Sequence, residues 1–403
     1  MGTERVVWLL GSGFSKPLGG PLLRDLFRQQ DEEEVVPHFP DKEYPDLARS
    51  LPWVQKCFQL GKYRDGDGSR GLWADAEEFL AYVDDAYGGS GVTPALKVLQ
   101  ALIEKAGPGR EANKWQNSDP YRHSRHMTFI NRMPGVFGRE MKRALAAECH
   151  HFLMSQNPRA SERWLPYREW VKGLQPGVDT VITFNYDLVI ETAAQQVKGV
   201  ENRLNVVHPM TDSADSNPTP DPNAPPLARV PILKLHGSVD WKNSSGQILA
   251  ANRADILKDP DLEIAIASPG ANKEELAGSH FKPLWTMAEK ALTVATRLVI
   301  VGYSFPLSDP AAQYRLLNAF TGGNTQQRQR EVHLVLGPDT DTRRMLSLLR
   351  STAPTEGSLS VANFVPRNVP ESSRLLIVQH PLGAQDFIGR HIGFTEPRRE
   401  FRV

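Results

Sequence analysis

The fold is decided by the stretch Val6–Ser15, which reads VVWLLGSGFS. A run of apolar residues, Val6–Leu10, passes directly into a turn that contains two glycines. A short apolar run bounded by glycines is typical of a buried strand that enters a tight turn. The apolar residues of Leu22–Gln29 then follow at helical spacing. The sequence therefore begins with a predicted strand, a glycine turn and a helix.

The glycine turn is a candidate binding site for an anion. Gly11 and Gly13 carry no side chain, so the backbone can come close to a bulky anion, and the amides of the turn can face phosphate oxygens. Ser12 and Ser15 add hydroxyl donors. The third glycine of the dinucleotide-binding fingerprint is absent, as is the Gly-Lys-Ser/Thr of a Walker loop. A plain connection between a strand and a helix would give the same pattern, so the turn alone does not decide between the two.

The composition excludes several functional classes. The chain has 403 residues, of which 40% are apolar and 23% charged, and its 47 Lys and Arg balance its 47 Asp and Glu. No basic field therefore draws it to nucleic acid or to a membrane. The sequence lacks a run of about 18 apolar residues, so we expect no membrane span. We also expect no signal peptide, because the first residues pass directly into a predicted strand. Its two cysteines, Cys57 and Cys149, fit a reducing compartment and cannot form a four-cysteine zinc site within one chain. We expect a cytoplasmic protein without direct nucleic-acid binding.

Predicted strands and helices alternate along much of the chain. Between residues 31 and 175 only helical periodicity is convincing, for example around Trp73–Val83 and Met141–Phe152. Further predicted strands are Thr180–Phe184, Val230–Leu235, Leu262–Ala267, Leu298–Val301, Val332–Leu336 and Leu375–Val378. Predicted helices lie between them, at Leu188–Val197, Phe281–Val294, Ala311–Phe320 and Thr342–Leu349. This alternation predicts an α/β fold with a Rossmann-like, doubly wound parallel sheet covered on both faces. Residues 1–30 and 176–403 would form it, with 31–175 as a mostly helical insertion.

Polar or glycine-bearing groups follow several of the predicted strands. The segments are Gly11-Ser12-Gly13, Asn185-Tyr186-Asp187, His236-Gly237-Ser238 and Gly302-Tyr303-Ser304. Ligands of open parallel sheets bind at the carboxyl ends of the strands. Residues far apart in the sequence should therefore meet along one edge of the sheet.

Each of these residues has a structural and a functional interpretation. Asn185 either tolerates a turn or orients a ribose hydroxyl or a water. His236 is either a buried structural histidine or a general base, since neutral imidazole is available near pH 7. Asp187 either caps the following helix, which we favour, or acts in catalysis. Tyr303 and Ser304 either end a strand or contact a nucleotide. Because such residues follow several strands of one predicted sheet, we favour the functional interpretation for the group as a whole.

These segments, in this order, resemble the sirtuin family. Gly11–Ser15 resembles its Gly-Ala-Gly-x-Ser phosphate loop, and Thr183–Asp187 its asparagine motif. His236-Gly237 matches its His-Gly motif, and Gly302-Tyr303-Ser304 its late Gly-x-Ser motif. The resemblance implies that NAD binds. It also implies that Asn185 and His236 act at the nicotinamide ribose, while Gly11, Ser12, Gly13, Ser15, Asp187, Gly237, Tyr303 and Ser304 contact the cofactor.

The departures from the sirtuin pattern narrow the expected activity. Sirtuin deacylases carry a four-cysteine zinc module, which this chain cannot build, and no counterpart of their peptide-binding segment is found near Ser268-Pro269-Gly270. The chain instead resembles zinc-less, sirtuin-like NAD hydrolases of bacterial anti-phage defence, some of which act beside a HerA-like ring ATPase or an Argonaute. We expect an NAD glycohydrolase without a metal, gated as a homo-oligomer or by such a partner. The helical insertion at 31–175 and the end segment Pro381–Val403 are the candidate contact surfaces. The alternative for Pro381–Val403 is that it packs on its own sheet. A protein deacylase and a non-enzymatic NAD or ADP-ribose sensor remain the alternatives.

Overall fold

The computed structural model describes residues 4–22, 25–27, 43–62, 71–88, 93–106, 134–155, 157–200, 202–209, 229–259, 261–267, 280–306, 309, 312–322, 330–338, 340, 342–352, 359–362 and 375–390. The chain forms two compact units. One comprises Met1–Gly20, Phe152–His236 and Ser279–Val403, and the other comprises Pro21–His151 and Gly237–Gly278. The domain boundaries expected at residues 30 and 175 remain a prediction. No helix of the described residues is both long and apolar enough to cross a membrane.

The strands confirm most of the positions that the apolar runs predict. In the described residues they are β1 (Val6–Leu10), β2 (Asp179–Thr183), β3 (Leu204–Val206), β4 (Val230–Lys234), β5 (Gly237–Ser244), β6 (Gln247–Ala250), β7 (Glu263–Ile266), β8 (Arg297–Val301), β9 (Arg330–Val335), β10 (Leu359–Ala362) and β11 (Leu375–Gln379). Residues of β1 and β4 are buried throughout. Strands covered on both faces need apolar side chains at successive positions, which is why these segments read as continuous apolar runs.

The first unit is built on a parallel sheet of eight strands. Their order is β10-β11-β9-β8-β1-β2-β4-β3. All of the pairings between these neighbours are parallel. The chain leaves the central strand β1 towards β2, β4 and β3, and later returns to β8 on the other side of β1. The strand order therefore reverses between β1 and β8, and such a switch point is the usual ligand position in a doubly wound sheet. The predicted α/β class is confirmed.

Helices supply the rest of the regular structure. They are Ser12–Ser15, Pro45–Lys62, Ala76–Gly88, Pro94–Ala106, Pro134–Ser155, Leu165–Gly173, Val189–Gln195, Arg253–Lys258, Lys282–Val294, Leu317–Gly322, Arg343–Thr352 and Ala384–Arg390, with 3-10 turns at Lys16–Leu18 and Glu162–Trp164 and a π-helical segment at Ala312–Leu316. One face of the sheet packs against Leu165–Gly173, Val189–Gln195 and Ala384–Arg390. At this core the rings of Trp8 and Trp170 meet edge to face, 5.4 Å apart.

An ion-pair network joins β8 and β9 near the start of both strands. Arg297 Nε donates to Glu331 Oε2 at 2.9 Å, and His333 Nε2 lies 3.3 Å from the same oxygen. Burial alone would raise the pKa of Glu331, but the His333 hydrogen bond and the Arg297 charge outweigh it and hold the pKa at about 2. The network therefore keeps the partly exposed Glu331 carboxylate ionised.

The second unit contains a separate antiparallel sheet with the order β6-β5-β7. The prediction that Leu262–Ala267 continues the parallel series is therefore wrong, because β7 pairs antiparallel with β5. β5 turns into β6 through Ser245 and Gly246, which have φ angles of +53° and +84°. Two residues with positive φ make the tight hairpin turn that matches the twist of its strands. The Ser-Gly dipeptide, which is typical of a two-residue hairpin turn, was the missed signal.

The helix predicted over Leu22–Gln29 is wrong for the described part of that stretch. Residues 25–27 form a turn, and Phe27 has a φ of +57°, which ends a right-handed helix. Its amide donates to the carboxylate of Glu148 at 3.2 Å. A contact 121 residues away along the chain thus overrides the local helical spacing. The helical turn that follows β1 lies earlier, at Ser12–Leu18, and ends at Gly19 with a φ of +92°.

The described part of the predicted end segment packs within the first unit. Phe387 and Ile388 are fully buried in the core beneath the sheet. They are therefore not available to dock on another chain. This part of Pro381–Val403 packs on its own sheet, as the alternative interpretation predicts. Residues 391–403 of that segment lie outside the described residues, as does Ser268-Pro269-Gly270.

Candidate active site

The candidate site lies along one edge of the parallel sheet, where neighbouring strands end. β8, β1, β2 and β4 are consecutive in the sheet. Gly302 follows β8, Gly11 follows β1, Asn185 lies just beyond β2, and His236 just beyond β4. Because the strands are parallel, their carboxyl ends lie at the same edge. The convergence expected from the sequence is therefore present in the fold.

Three glycines allow the turns after β1 and β8 to touch at the switch point. A Cβ on Gly11 would lie 2.6 Å from the Gly302 oxygen, and a Cβ on Gly13 would lie 2.6 Å from Gly302 Cα. The Gly11 amide donates to the Val301 oxygen at 3.0 Å, and the Gly13 amide to the Gly302 oxygen at 3.1 Å. The amides of both glycines therefore bond to the end of β8, and the absence of side chains is what permits the approach.

Asn185 is held rigidly beside this turn. Its Nδ2 donates to the Gly11 oxygen at 3.0 Å and to Ser15 Oγ at 3.2 Å. Its backbone amide donates to Thr183 Oγ1 at 3.0 Å. A carboxamide nitrogen carries two hydrogens, so these bonds engage both of them. The carboxamide oxygen is the atom of this side chain that is left to orient a ligand.

Asp187 belongs to the same hydrogen-bond network through Ser15. Its Oδ2 accepts a hydrogen bond from Ser15 Oγ at 2.7 Å, and its Oδ1 accepts one from the Val189 amide at 3.0 Å, at the start of the helix Val189–Gln195. Burial raises the pKa of the Asp187 carboxyl, and the Ser15 hydrogen bond and the Lys234 charge offset part of that effect. Both carboxylate oxygens serve the fold, which agrees with the helix-capping interpretation.

A buried lysine stabilises this corner of the site. Lys234, the last residue of β4, is 1% exposed. Its Nζ donates to the Asp187 carbonyl oxygen at 2.6 Å and to Glu191 Oε1 at 3.0 Å. A charge removed from water in this way requires such partners. Sequence reasoning missed this role, because Lys234 reads as one polar residue in an apolar strand.

His236 lies in an aromatic pocket that the loop after β2 and the helix Lys282–Val294 form. The Phe184 ring meets it edge to face with centroids 4.7 Å apart, and the rings of Tyr186 and Trp285 lie at 6.2 Å and 6.5 Å. The residue is 6% exposed, so little water reaches the imidazole. Its Nε2 lies 3.2 Å from Oδ2 of Asp309.

Asp309 is a site residue that sequence reasoning missed. It is fully buried, and its Oδ2 also accepts a hydrogen bond from the Tyr303 hydroxyl at 2.8 Å. Tyr303 in turn stacks on Phe184, with centroids 4.1 Å apart and planes at 12°. A signal was present in the sequence, because Asp309 is the single charged residue between Arg297 and Arg315. A lone acid in such an apolar stretch is either buried with partners or at a loop tip.

Three other residues predicted to contact the cofactor, Ser12, Ser304 and Gly237, lie outside this hydrogen-bond network. Ser12 begins the short helix after β1 and is partly exposed, and Ser304 is exposed. The Ser304 carbonyl oxygen accepts a hydrogen bond from Arg344 Nη1 at 3.1 Å, which fixes the loop after β8. Gly237 belongs to the second unit, where it begins β5 with a φ of +80°.

The part of the chain that the structure describes contains no set of three or more His, Cys, Asp or Glu side chains arranged to hold a metal ion. Cys57 and Cys149 are both buried, and neither forms a disulfide. Burial raises the pKa of the Cys57 thiol to about 12, so it remains protonated.

A family match covers several of these site residues. The SIR2-like domain model matches residues 179–352. The SIR2-like segment runs from β2 to the helix Arg343–Thr352, and so includes Asn185, His236, Tyr303 and Asp309. β1 and its glycine turn precede it. None of the curated proteins matches the chain.

Two solved structures are distantly similar to this chain. A structure of Sir2Tm bound to a propionylated peptide is 10% identical, with 96% of this chain and 92% of that chain covered and a TM-score of 0.35. A structure concerned with the basis of sirtuin substrate affinity is 11% identical, with 96% and 93% covered and a TM-score of 0.35. Likenesses at this distance carry no argument about the activity of this chain.

Proposed function

We propose that the protein is an NAD glycohydrolase, which cleaves the bond between nicotinamide and ribose to give nicotinamide and ADP-ribose. One observation supports this most. Within the SIR2-like segment, a carboxamide fixed by two hydrogen bonds and a buried imidazole follow the neighbouring strands β2 and β4. The carboxamide contacts the glycine turn at the switch point of the sheet, where dinucleotides bind in such folds.

The proposed chemistry requires positioning and one proton transfer. The electron pair of the bond from ribose C1′ to nitrogen moves onto nicotinamide, which leaves as a neutral molecule, and positive charge develops on the ribose. The Asn185 oxygen orients a ribose hydroxyl or the attacking water. His236 takes a proton from that hydroxyl or water. Water adds to C1′ and loses a proton, so NAD⁺ and water give nicotinamide, ADP-ribose and a proton. No metal is required.

The rest of the cofactor is assigned to neighbouring groups. Gly11 and Gly13, packed against Gly302, would shape the turn that holds the pyrophosphate, and Ser12 would donate a hydrogen bond to it, with Ser15 behind. Tyr303 and Ser304 would lie near the adenosine half. Asp187 and Gly237, which the resemblance places among the cofactor contacts, would act by holding Ser15 and the backbone after His236.

The direct test is to incubate the purified protein with NAD and to follow nicotinamide and ADP-ribose by proton NMR or chromatography. Asn185→Ala and His236→Ala should each lower the cleavage rate by ~10²–10⁴. Asn205→Ala, which changes an exposed asparagine on β3 of the same sheet, is the matched control and should cleave NAD at the wild-type rate. A folded Asn185 or His236 variant with wild-type turnover would contradict the role assigned to that residue.

The same preparation tests the two alternatives. Stoichiometric zinc and NAD-dependent removal of acetyl groups from a peptide panel would favour a protein deacylase. Binding of NAD or ADP-ribose without turnover would favour a sensor. We expect neither zinc nor deacetylation, since two cysteines cannot supply a structural zinc site within one chain.

We further propose that the activity is gated and serves anti-phage defence by depleting NAD. An unrestrained NAD hydrolase would empty the cofactor pool of its own host, so the resting protein must be held back. Control by homo-oligomerisation or by a partner such as a HerA-like ring ATPase would achieve this. Light scattering and NAD turnover across a dilution series test the proposal. A monomer with constant specific activity at every dilution, unchanged by the products of neighbouring genes, would exclude it.

A further inference from the structure

Asp309 is an acid whose burial and contacts the proposed reaction does not by itself explain. Its carboxylate is fully buried and lies between two elements of the first unit. Oδ2 accepts a hydrogen bond from the Tyr303 hydroxyl at 2.8 Å and lies 3.2 Å from His236 Nε2. Oδ1 accepts one from the Ala312 amide at 3.3 Å, at the start of the π-helical segment. One carboxylate therefore joins the loop after β8 to the histidine after β4.

We propose that Asp309 is a positioning residue that keeps a proton on Nε2 of His236 and so leaves Nδ1 as the basic nitrogen. This role rests on the proposed hydrolase function. In a neutral imidazole one nitrogen donates and the other accepts. An ionised carboxylate can only accept, so the nitrogen that faces it is the protonated one. The carboxylate 3.2 Å from one ring nitrogen thereby sets the protonation state of the other.

Charge adds to the effect of geometry. When His236 takes a proton during the reaction, the ring becomes positive, and a carboxylate 3.2 Å from Nε2 stabilises that form. The rings of Phe184, Tyr186 and Trp285 also lie beside the imidazole and carry no charge. Behind Trp285 the guanidinium of Arg315 stacks on the indole and pairs with Glu289, so its charge is compensated. Of these groups, Asp309 supplies the negative charge at the imidazole.

A purely structural role would leave a different signature. Asp309 could serve only as the cap of Ala312 and the partner of Tyr303. Asp309→Asn would then affect stability but neither the tautomer of His236 nor the pH dependence of the reaction. The substitution keeps the size of the side chain and the acceptor for the Ala312 amide, and it removes the charge. It therefore separates the two roles.

The test compares Asp309→Asn with Asp179→Asn. Asp179 is also buried and accepts hydrogen bonds from Trp8 Nε1 at 2.9 Å and the Gln175 amide at 2.7 Å. It is the first residue of β2 and so lies away from the carboxyl ends of the strands, where the candidate site is. Asp309→Asn should lower kcat for NAD cleavage by ~10²–10⁴ while the KM changes less than about tenfold. The acidic limb of its pH–rate profile should move to lower pH. Asp179→Asn should lose stability and keep the wild-type profile.

A second measurement does not require the protein to be a hydrolase. In protein with ¹⁵N-labelled histidine, the ring shifts of His236 report which nitrogen carries the proton, and His236→Gln assigns the signal. The wild type should show Nε2–H, and Asp309→Asn should lose its charged form at lower pH than the wild type. If NAD is not cleaved but these shifts appear, the hydrolase proposal fails and the positioning of His236 stands. An Nδ1–H wild type, or a folded Asp309→Asn variant with wild-type kcat and pH profile, would overturn the role of Asp309.

Discussion

The contact between the turns after β1 and β8 predicts that Gly302→Ala damages the switch point far more than an ordinary glycine substitution. Gly302 has a φ of +64°, and a Cβ there would lie 2.5 Å from Gly13 Cα and 2.5 Å from the Phe14 nitrogen. Both are backbone atoms, so no side chain can rotate away to make room. Relief therefore requires the two turns to separate, and with them the ends of β1 and β8.

The magnitude follows from two terms. A residue with a Cβ in the left-handed region costs about 1–2 kcal/mol, and forcing an atom into a packed site costs about 1–3 kcal/mol. Gly302→Ala should thus lower the free energy of unfolding by about 2–5 kcal/mol. Gly199→Ala is the matched control, since Gly199 lies in the same unit at a φ of +81° and a Cβ there would have nothing within 4 Å of it. It should lose only the first term.

Urea unfolding of both variants gives the comparison, and hydrogen exchange of peptides that cover β1 and β8 locates the effect. The entropy that alanine removes from the unfolded chain is similar in both variants, so it cancels in their difference. Gly302→Ala should lose ~1–3 kcal/mol more than Gly199→Ala and should exchange faster at the ends of β1 and β8. Equal losses in the two variants would refute the inference that close packing of these turns holds the site together.

Three further outcomes are expected. Ser15→Ala should lower the free energy of unfolding by ~1–3 kcal/mol and slow NAD cleavage, because it removes a partner of Asn185; thermal unfolding and turnover measure this, and unchanged turnover would contradict it. Lys234→Met should destabilise the first unit by ~3–5 kcal/mol, since it removes the cation that lies beside the carboxylates of Glu191 and Asp187. Urea unfolding at pH 7 measures this, and a wild-type value would contradict it. The folded pKa of Glu331 is about 2, below its ordinary 4.5, so the stability it contributes is present above pH 4.5 and lost as the pH falls towards 2. Glu331→Gln should flatten the pH dependence of urea unfolding in that range, and an unchanged slope would argue against the Arg297 network.

Strands that are buried on both faces of the sheet could be predicted from the sequence. Parallel strands covered on both faces need apolar residues at successive positions, which is why Val6–Leu10 and Leu298–Val301 were recognised as strands. Strand order was not predictable, since β2 pairs with β4 although β3 precedes β4 in the chain. The left-handed Phe27 depends on Glu148, a contact far away in sequence. Local spacing carries no information about such contacts.

The sequence allowed us to predict which strand ends carry the site residues. It did not allow us to predict which side chains contact one another there. Residues that follow parallel strands must share an edge, so Asn185 and His236 could be placed without knowing their partners. Asp309 could not, because it follows β8 by eight residues and reaches the site only through the loop that Arg344 and Gln313 hold. A single acid has no periodicity, and its role becomes visible only when Tyr303 and His236 stand beside it.

Structural and functional interpretations of the strand-end residues turn out to be compatible. Asn185 binds the Gly11 carbonyl and Ser15, and Asp187 holds Ser15 in turn. These bonds stabilise the fold, and because they engage both hydrogens of the carboxamide they also decide which atom is left for a substrate. A carboxamide that could rotate would lose the orientation on which positioning depends. Substitutions at Ser15 and Asp187 should therefore affect turnover through the orientation of Asn185, whereas alanine at Asn185 removes the orienting atom itself.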